Sequence, residues 1–96
     1  MASLVNKALA EFLGVFIFFL AIFTKDGSNY APVAIAVALF VAIYTFGGVS
    51  GGHFNFTVTM VKYIAGDVGT QQLLYYFVAQ LLGGVGAFYV SKNINN

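Results

Sequence analysis

Ser50-Gly51-Gly52-His53-Phe54-Asn55-Phe56-Thr57-Val58-Thr59 follows a long uncharged apolar run and precedes a short amphipathic one that reaches Lys62. How this stretch is read decides the fold. Its adjacent glycines open backbone conformations closed to other residues, and Asn55, ahead of a β-branched and aromatic run, has the side chain of a helix N-cap. In water it would be an ordinary loop-to-helix start. In so apolar a chain it lies within a bilayer, where irregular backbone is tolerated only when buried in protein or lining a water-filled cavity.

The bilayer setting follows from composition. Of 96 residues, 60% are hydrophobic and 7% are charged, against roughly 25% charged in soluble domains. The mean hydropathy is +0.90. A water-soluble globule is thereby excluded. Lysines number 4 against 3 acidic residues, a net charge of +1, which leaves no electrostatic footprint for nucleic acid. Lipid and other membrane protein are the partners to expect. The absence of cysteine removes disulfides and thiolate metal sites, and the single histidine removes a multi-histidine one, so no metal or cofactor is expected. Lys7 before an apolar run has the form of a signal-peptide n-region, but Glu11 interrupts the run and no A-x-A-like cleavage site follows. A cleaved leader is not expected.

Taken in order, residues 4–24 are long enough to cross a hydrocarbon core of about 30 Å as a helix. Glu11 lies inside this span, where a carboxylate is costly unless paired or turned inward. Two readings are open. Lys7, one turn earlier, makes an i, i+4 pair, or Glu11 accepts hydrogen bonds from the irregular backbone at 51–54. Gly14, on nearly the same face, allows another helix to approach closely. Lys25-Asp26-Gly27-Ser28-Asn29 is a turn by composition, and Tyr30 with Pro32 suits entry into a second span over 31–49, which carries no charge. Gly47 and Gly51, and Gly48 and Gly52, are spaced as in close helix contacts.

A helix from Asn55 to about residue 64 measures near 15 Å, too short to span. Lys62, Gly66, Asp67 and Gly69 mark an aqueous boundary at its far end. The simplest path dips to the midplane and returns, making 50–64 a re-entrant loop and half-helix. A helix lying on the membrane surface is the alternative. Residues 71–90 form a third span, with Tyr75, Tyr76 and Tyr89 toward its ends as an aromatic belt, Gln80 as its strongly polar interior residue, and Ala79, Gly83 and Ala87 as a packing stripe. Residues 91–96 read as a polar tail. The predicted fold is an all-α, multi-pass membrane domain over 1–96, with three transmembrane helices and one re-entrant half-helix. The native membrane is not specified.

These motifs resemble one half of an aquaporin, a member of the major intrinsic protein family. Ala10-Glu11-Phe12-Leu13-Gly14 is similar to the first-helix motif, Ser50-Gly51-Gly52-His53-Phe54-Asn55 to the first pore loop, and Ala79-Gln80-Leu81-Leu82-Gly83 to the third helix. The resemblance implies that Asn55 donates a hydrogen bond to permeating water at the midplane. It implies that carbonyls of Gly51, Gly52, His53 and Phe54 form the polar stripe leading there. Glu11 and His53 would brace the loop from behind, and Ile35 would form one wall of the outer constriction. No enzyme activity is implied, since no activated nucleophile or open cleft accompanies these residues.

Two departures stand out. The family's Asn-Pro-Ala is Asn55-Phe56-Thr57 here. Phe56 lacks the preset backbone of a first-turn proline and adds bulk where two such loops meet, while Thr57 brings a hydroxyl. These three residues also fit a glycosylation sequon, but at mid-membrane it is out of reach of modification. The 96 residues also carry one repeat of a pore that the family builds from two of inverted topology, and contain no arginine for the constriction. Lys7 and Lys62 on one side balance Lys25 and Lys92 on the other, which allows insertion in both orientations. The expectation is a channel subunit for water or small neutral solutes, completed by a partner or, as an antiparallel homodimer, by a second copy. The alternatives are a non-transporting half-aquaporin subunit of a larger membrane or virion assembly, and a fragment of a longer channel.

Overall fold

Four helices make up the described residues of the computed structural model, 2–24 and 29–95: α1 (Leu4–Phe23), α2 (Ala31–Ser50), α3 (Phe56–Ile64) and α4 (Thr70–Ile94). Of the expected turn, Lys25, Asp26, Gly27 and Ser28 lie outside the described residues. Helices α1, α2 and α4 are long and apolar enough to cross a membrane. Helix α3 has 9 residues, about 14 Å at 1.5 Å per residue and half of a hydrocarbon core.

Local chemistry sets the ends. Ser3 accepts from the Asn6 amide at 3.1 Å to open α1, and Thr24 closes it with its hydroxyl on the Leu20 carbonyl at 2.7 Å. Pro32 sits in the first turn of α2, where its missing N–H costs nothing. Gly51, left-handed at φ 90°, stops α2 by donating to the Gly47 carbonyl at 2.8 Å. Helix α4 runs to Ile94, beyond the expected end near residue 90, so the polar tail is largely helical. Its extra turn is tied down: Ser91 donates to the Phe88 carbonyl at 2.8 Å, and the Asn95 side chain donates to the Phe23 carbonyl at 3.1 Å. Lys92 in that last turn complements the helix dipole.

Helix α1 packs against both α2 and α4, and α3 packs against α4. The α1–α4 seam is built on small residues, with Ala79, Gly83 and Ala87 buried. A Cβ on Gly83 would stand 2.6 Å from the Phe12 carbonyl oxygen. Gly14 serves a different purpose from the helix contact expected of it. A Cβ there would fall 2.1 Å from Cε1 of Phe54, so the notch holds an aromatic ring of the loop. Gly48 meets nothing within 4 Å, whereas Gly47 lies against Gly52. Tyr76 does not belong to an aromatic belt: it is fully buried, with its hydroxyl on the Ser50 carbonyl at 2.5 Å.

Gly83→Ala forces its new methyl against backbone rather than a movable side chain. The substitution is expected to lower stability by about 1–3 kcal/mol, read as an earlier midpoint in SDS titration followed by far-UV circular dichroism. An unchanged midpoint would show that the seam yields.

Candidate functional site

Five residues, 51–55, connect α2 to α3, and three of them, Gly51, Gly52 and Phe54, take positive φ (90°, 67° and 53°). For phenylalanine this conformation costs about 1–3 kcal/mol and persists only where its surroundings over-determine it. They do so here. The Phe54 ring is 2% exposed, seated in the Gly14 notch and packed with Val15 and Ala42, against which Phe19, Leu39 and Phe46 also lie.

The backbone bent in this way is held by one side chain. Glu11 has no solvent exposure, and its carboxyl accepts four hydrogen bonds. Oε1 takes the Phe54 amide at 2.8 Å and Gln80 Nε2 at 2.9 Å, while Oε2 takes the Ser50 hydroxyl at 2.6 Å and the His53 amide at 3.1 Å. Four donors match the acceptor capacity of a carboxylate. Lys7 is not among its partners.

A second layer stands behind the first. Ser50 Oγ accepts from the Gly52 amide at 3.1 Å while donating to Glu11, and Tyr76 caps the Ser50 carbonyl. His53, 8% exposed, sets Nδ1 2.9 Å from Thr59 Oγ1 and packs its ring edge-on to Tyr76 at 4.9 Å. Gln80 Nε2 reaches both Thr59 Oγ1 at 3.0 Å and Glu11, joining the layers. Reversing the amide would set Oε1 against a carboxyl oxygen, so this orientation holds, and it leaves Gln80 Oε1 buried without a partner among the described residues.

The loop's outer side differs. Asn55 is exposed, and its Oδ1 caps α3 by accepting from the Thr57 amide at 2.7 Å, while its Nδ2 has no partner among the described residues. The carbonyls of Gly51, Gly52, His53 and Phe54 likewise accept no hydrogen bond among them. The Phe56 ring packs edge-on against Phe77 of α4 at 4.7 Å. Thr57 is exposed. Ile35 is half-buried near the start of α2, at the end of that helix remote from the loop. A cavity of about 550 Å³ opens beside Asn55 and Phe56, between α1 and α4, and Ile35 does not line it.

Sequence reasoning leaves Thr59 and Tyr76 outside the site and gives Gln80 no role. The signals were present. Thr59 stands one turn after Asn55, and Gln80 is the isolated amide of an apolar span, a position where polar groups are kept only with partners.

The family model described as major intrinsic protein matches residues 1–96. The chain belongs to the major intrinsic protein family. Among its relatives, Aquaporin Z of Brucella melitensis is 37% identical over 95 residues, covering 88% of this chain and 42% of that protein. Aquaporin TIP1-2 of Zea mays is 37% identical over 102 residues, covering 91% and 40%. Glycerol uptake facilitator protein-like 6 of Lactiplantibacillus plantarum is 36% identical over 93 residues, covering 92% and 43%. The chain therefore spans 40–43% of the length of these relatives. No solved structure gives a significant match. With its three apolar spans, this major intrinsic protein is an integral multi-pass membrane protein with the fold of a half-aquaporin.

Glu11→Gln replaces one carboxyl oxygen by a donor and sets it against two buried donors. Stability is expected to fall by at least about 2 kcal/mol, from two unsatisfied groups at ~1 kcal/mol or more each. Hydrogen exchange should quicken at the His53 and Phe54 amides before the rest of the chain. Retained protection there would show that Glu11 does not hold the loop.

Proposed function

We propose that the chain is a channel subunit that passes water or small neutral solutes once a second half-repeat, in inverted orientation, completes the pore. The observation that carries this reading is the division of the loop into a satisfied face and an unsatisfied one. Every amide turned to Glu11 is bonded, whereas Asn55 Nδ2 and four successive carbonyls have no partner among the described residues. Such backbone is tolerated at membrane depth only beside protein or water.

On this reading the carbonyls of Gly51, Gly52, His53 and Phe54 hand water to Asn55, whose amide donates to its oxygen. The N-terminus of α3, carrying about +0.5 charge, repels cations there. Glu11 and His53 brace the loop, and Ile35 contributes to an outer constriction. The completing half-repeat is a second, inverted copy. Lys7 and Lys62 lie toward one end of the bundle, at the start of α1 and the last turn of α3, while Lys92 lies at the other, where Asn95 meets Phe23. On this reading the four lysines of the sequence divide two against two, which gives insertion no preferred direction.

One observation favours a second reading, a non-transporting structural subunit: Phe56, where the family has proline, lines the cavity beside Asn55. Osmotic shrinkage of proteoliposomes separates the two. Shrinkage faster than that of empty vesicles, lost in Asn55→Ala, is expected, with glycerol flux defining the solute class. Rates equal to empty vesicles for both proteins would leave the structural reading. A C-terminal tag reachable from both faces of the membrane is expected of inverted copies, and one reachable from a single face would remove them.

A further inference from the structure

Helix α3 opens on a residue that does nothing by itself to start a helix. A proline at this first position would bring a fixed φ and no orphan donor. Phe56 is free about φ, and its N–H finds no acceptor among the described residues. With 9 residues α3 is also short, and the first turn is the costly one to form. That turn nevertheless has to be well fixed. Asn55 Oδ1 stays 2.7 Å from the Thr57 amide, and the direction of Nδ2 on the same side chain follows from that cap.

Three side chains tie α3 to α4. Phe56 lies edge-on to Phe77 at 4.7 Å, Thr59 Oγ1 is 3.0 Å from Gln80 Nε2, and the Tyr63 hydroxyl is 3.2 Å from Thr70 Oγ1. Only the first of these acts ahead of the Thr59 amide's bond to the Asn55 carbonyl at 3.2 Å. Phe77 is 41% exposed and stands outside the buried core, so its contact with Phe56 is not a by-product of core packing.

We propose that Phe77 is a positioning residue for Asn55: its ring clamps Phe56 and so does for the start of α3 what a first-turn proline does through its own ring. The clamp is internal to the chain, whereas the use made of Asn55 rests on the reading of the chain as a channel subunit. Clamp and proline are alternatives, so adding one makes the other dispensable. Plain packing has no such consequence. The backbone is ready for the exchange. Asn55, at φ −156° and ψ 130°, already has the extended conformation that a following proline requires, and the Phe56 amide has no hydrogen bond to lose.

Amide hydrogen exchange at Thr57 and Thr59 reads the clamp directly. Phe77→Ala is expected to speed it by about two- to tenfold, the share of an edge-on aromatic pair, and Phe77→Tyr to leave it unchanged. Phe56→Pro, alone or with Phe77→Ala, is expected to exchange as slowly as the unaltered chain. An equal effect of Phe77→Ala with proline present overturns the proposal, as does no effect without it. Should circular dichroism show that proline costs the variant its helices, Phe56→Ala decides. Either alanine breaks the clamp, so the double variant is expected to exchange no faster than a single one, and additive rates overturn it. Water flux into proteoliposomes is expected to fall in Phe77→Ala and to return with Phe56→Pro added. Flux that ignores Phe77 overturns its positioning of Asn55. Flux absent even from the unaltered chain, with the exchange pattern intact, removes the channel reading and leaves the clamp standing.

Discussion

A carboxyl group with no access to water holds this membrane domain together. Glu11 of α1 receives hydrogen bonds from the end of α2, from two consecutive loop amides and from α4, and through Gln80 and Thr59 it is linked to α3. Each helix thus has a polar stake in one point. Packing in lipid gains little from hydrophobicity, because acyl chains are as apolar as the side chains they replace. Position is set instead by donors that have no other acceptor and by small residues that let backbones close in. Glu11 supplies the first kind of constraint and Gly83 the second.

The arrangement also explains how the loop keeps two faces with opposite chemistry. Left-handed geometry at Gly51, Gly52 and Phe54 lets successive amides converge on Glu11 while the intervening carbonyls stay unengaged. A regular helix would pair both sets with each other, and a regular strand would need a neighbour. The strain at Phe54 is held by its ring, which fills the notch in α1 that Gly14 leaves. Backbone shape and side-chain packing therefore depend on each other at a single residue.

Much of the fold was legible in the sequence because bilayer thickness turns hydrophobic length into topology. Three apolar runs and one too short to span left few paths, and Asn55 marked the turn. What was not legible depended on facing. Tyr76 sits near the end of a span, where tyrosines commonly reach the interface, yet its ring faces His53 and its hydroxyl the end of α2. Gly14 has the composition of a helix contact, and only the fold shows a ring against it. The length of α4 was missed because Ser91, Lys92 and Asn93 read as polar, although serine and asparagine can return their hydrogen bonds to their own helix. Of the candidate site, Glu11 stood out by the cost of its burial, whereas its partner Gln80, and Thr59 which Gln80 also reaches, became visible as a group only once their helices were packed.

The partners of Glu11 are not made at the same time. Synthesis delivers the carboxyl first, then Ser50 and the two loop amides, and after them Gln80 on α4. Until α4 has entered the membrane, the His53–Thr59 pair has no donor from Gln80, and Ser50 has no cap from Tyr76. The short helix therefore has its full anchorage only with the segment that follows it in the chain.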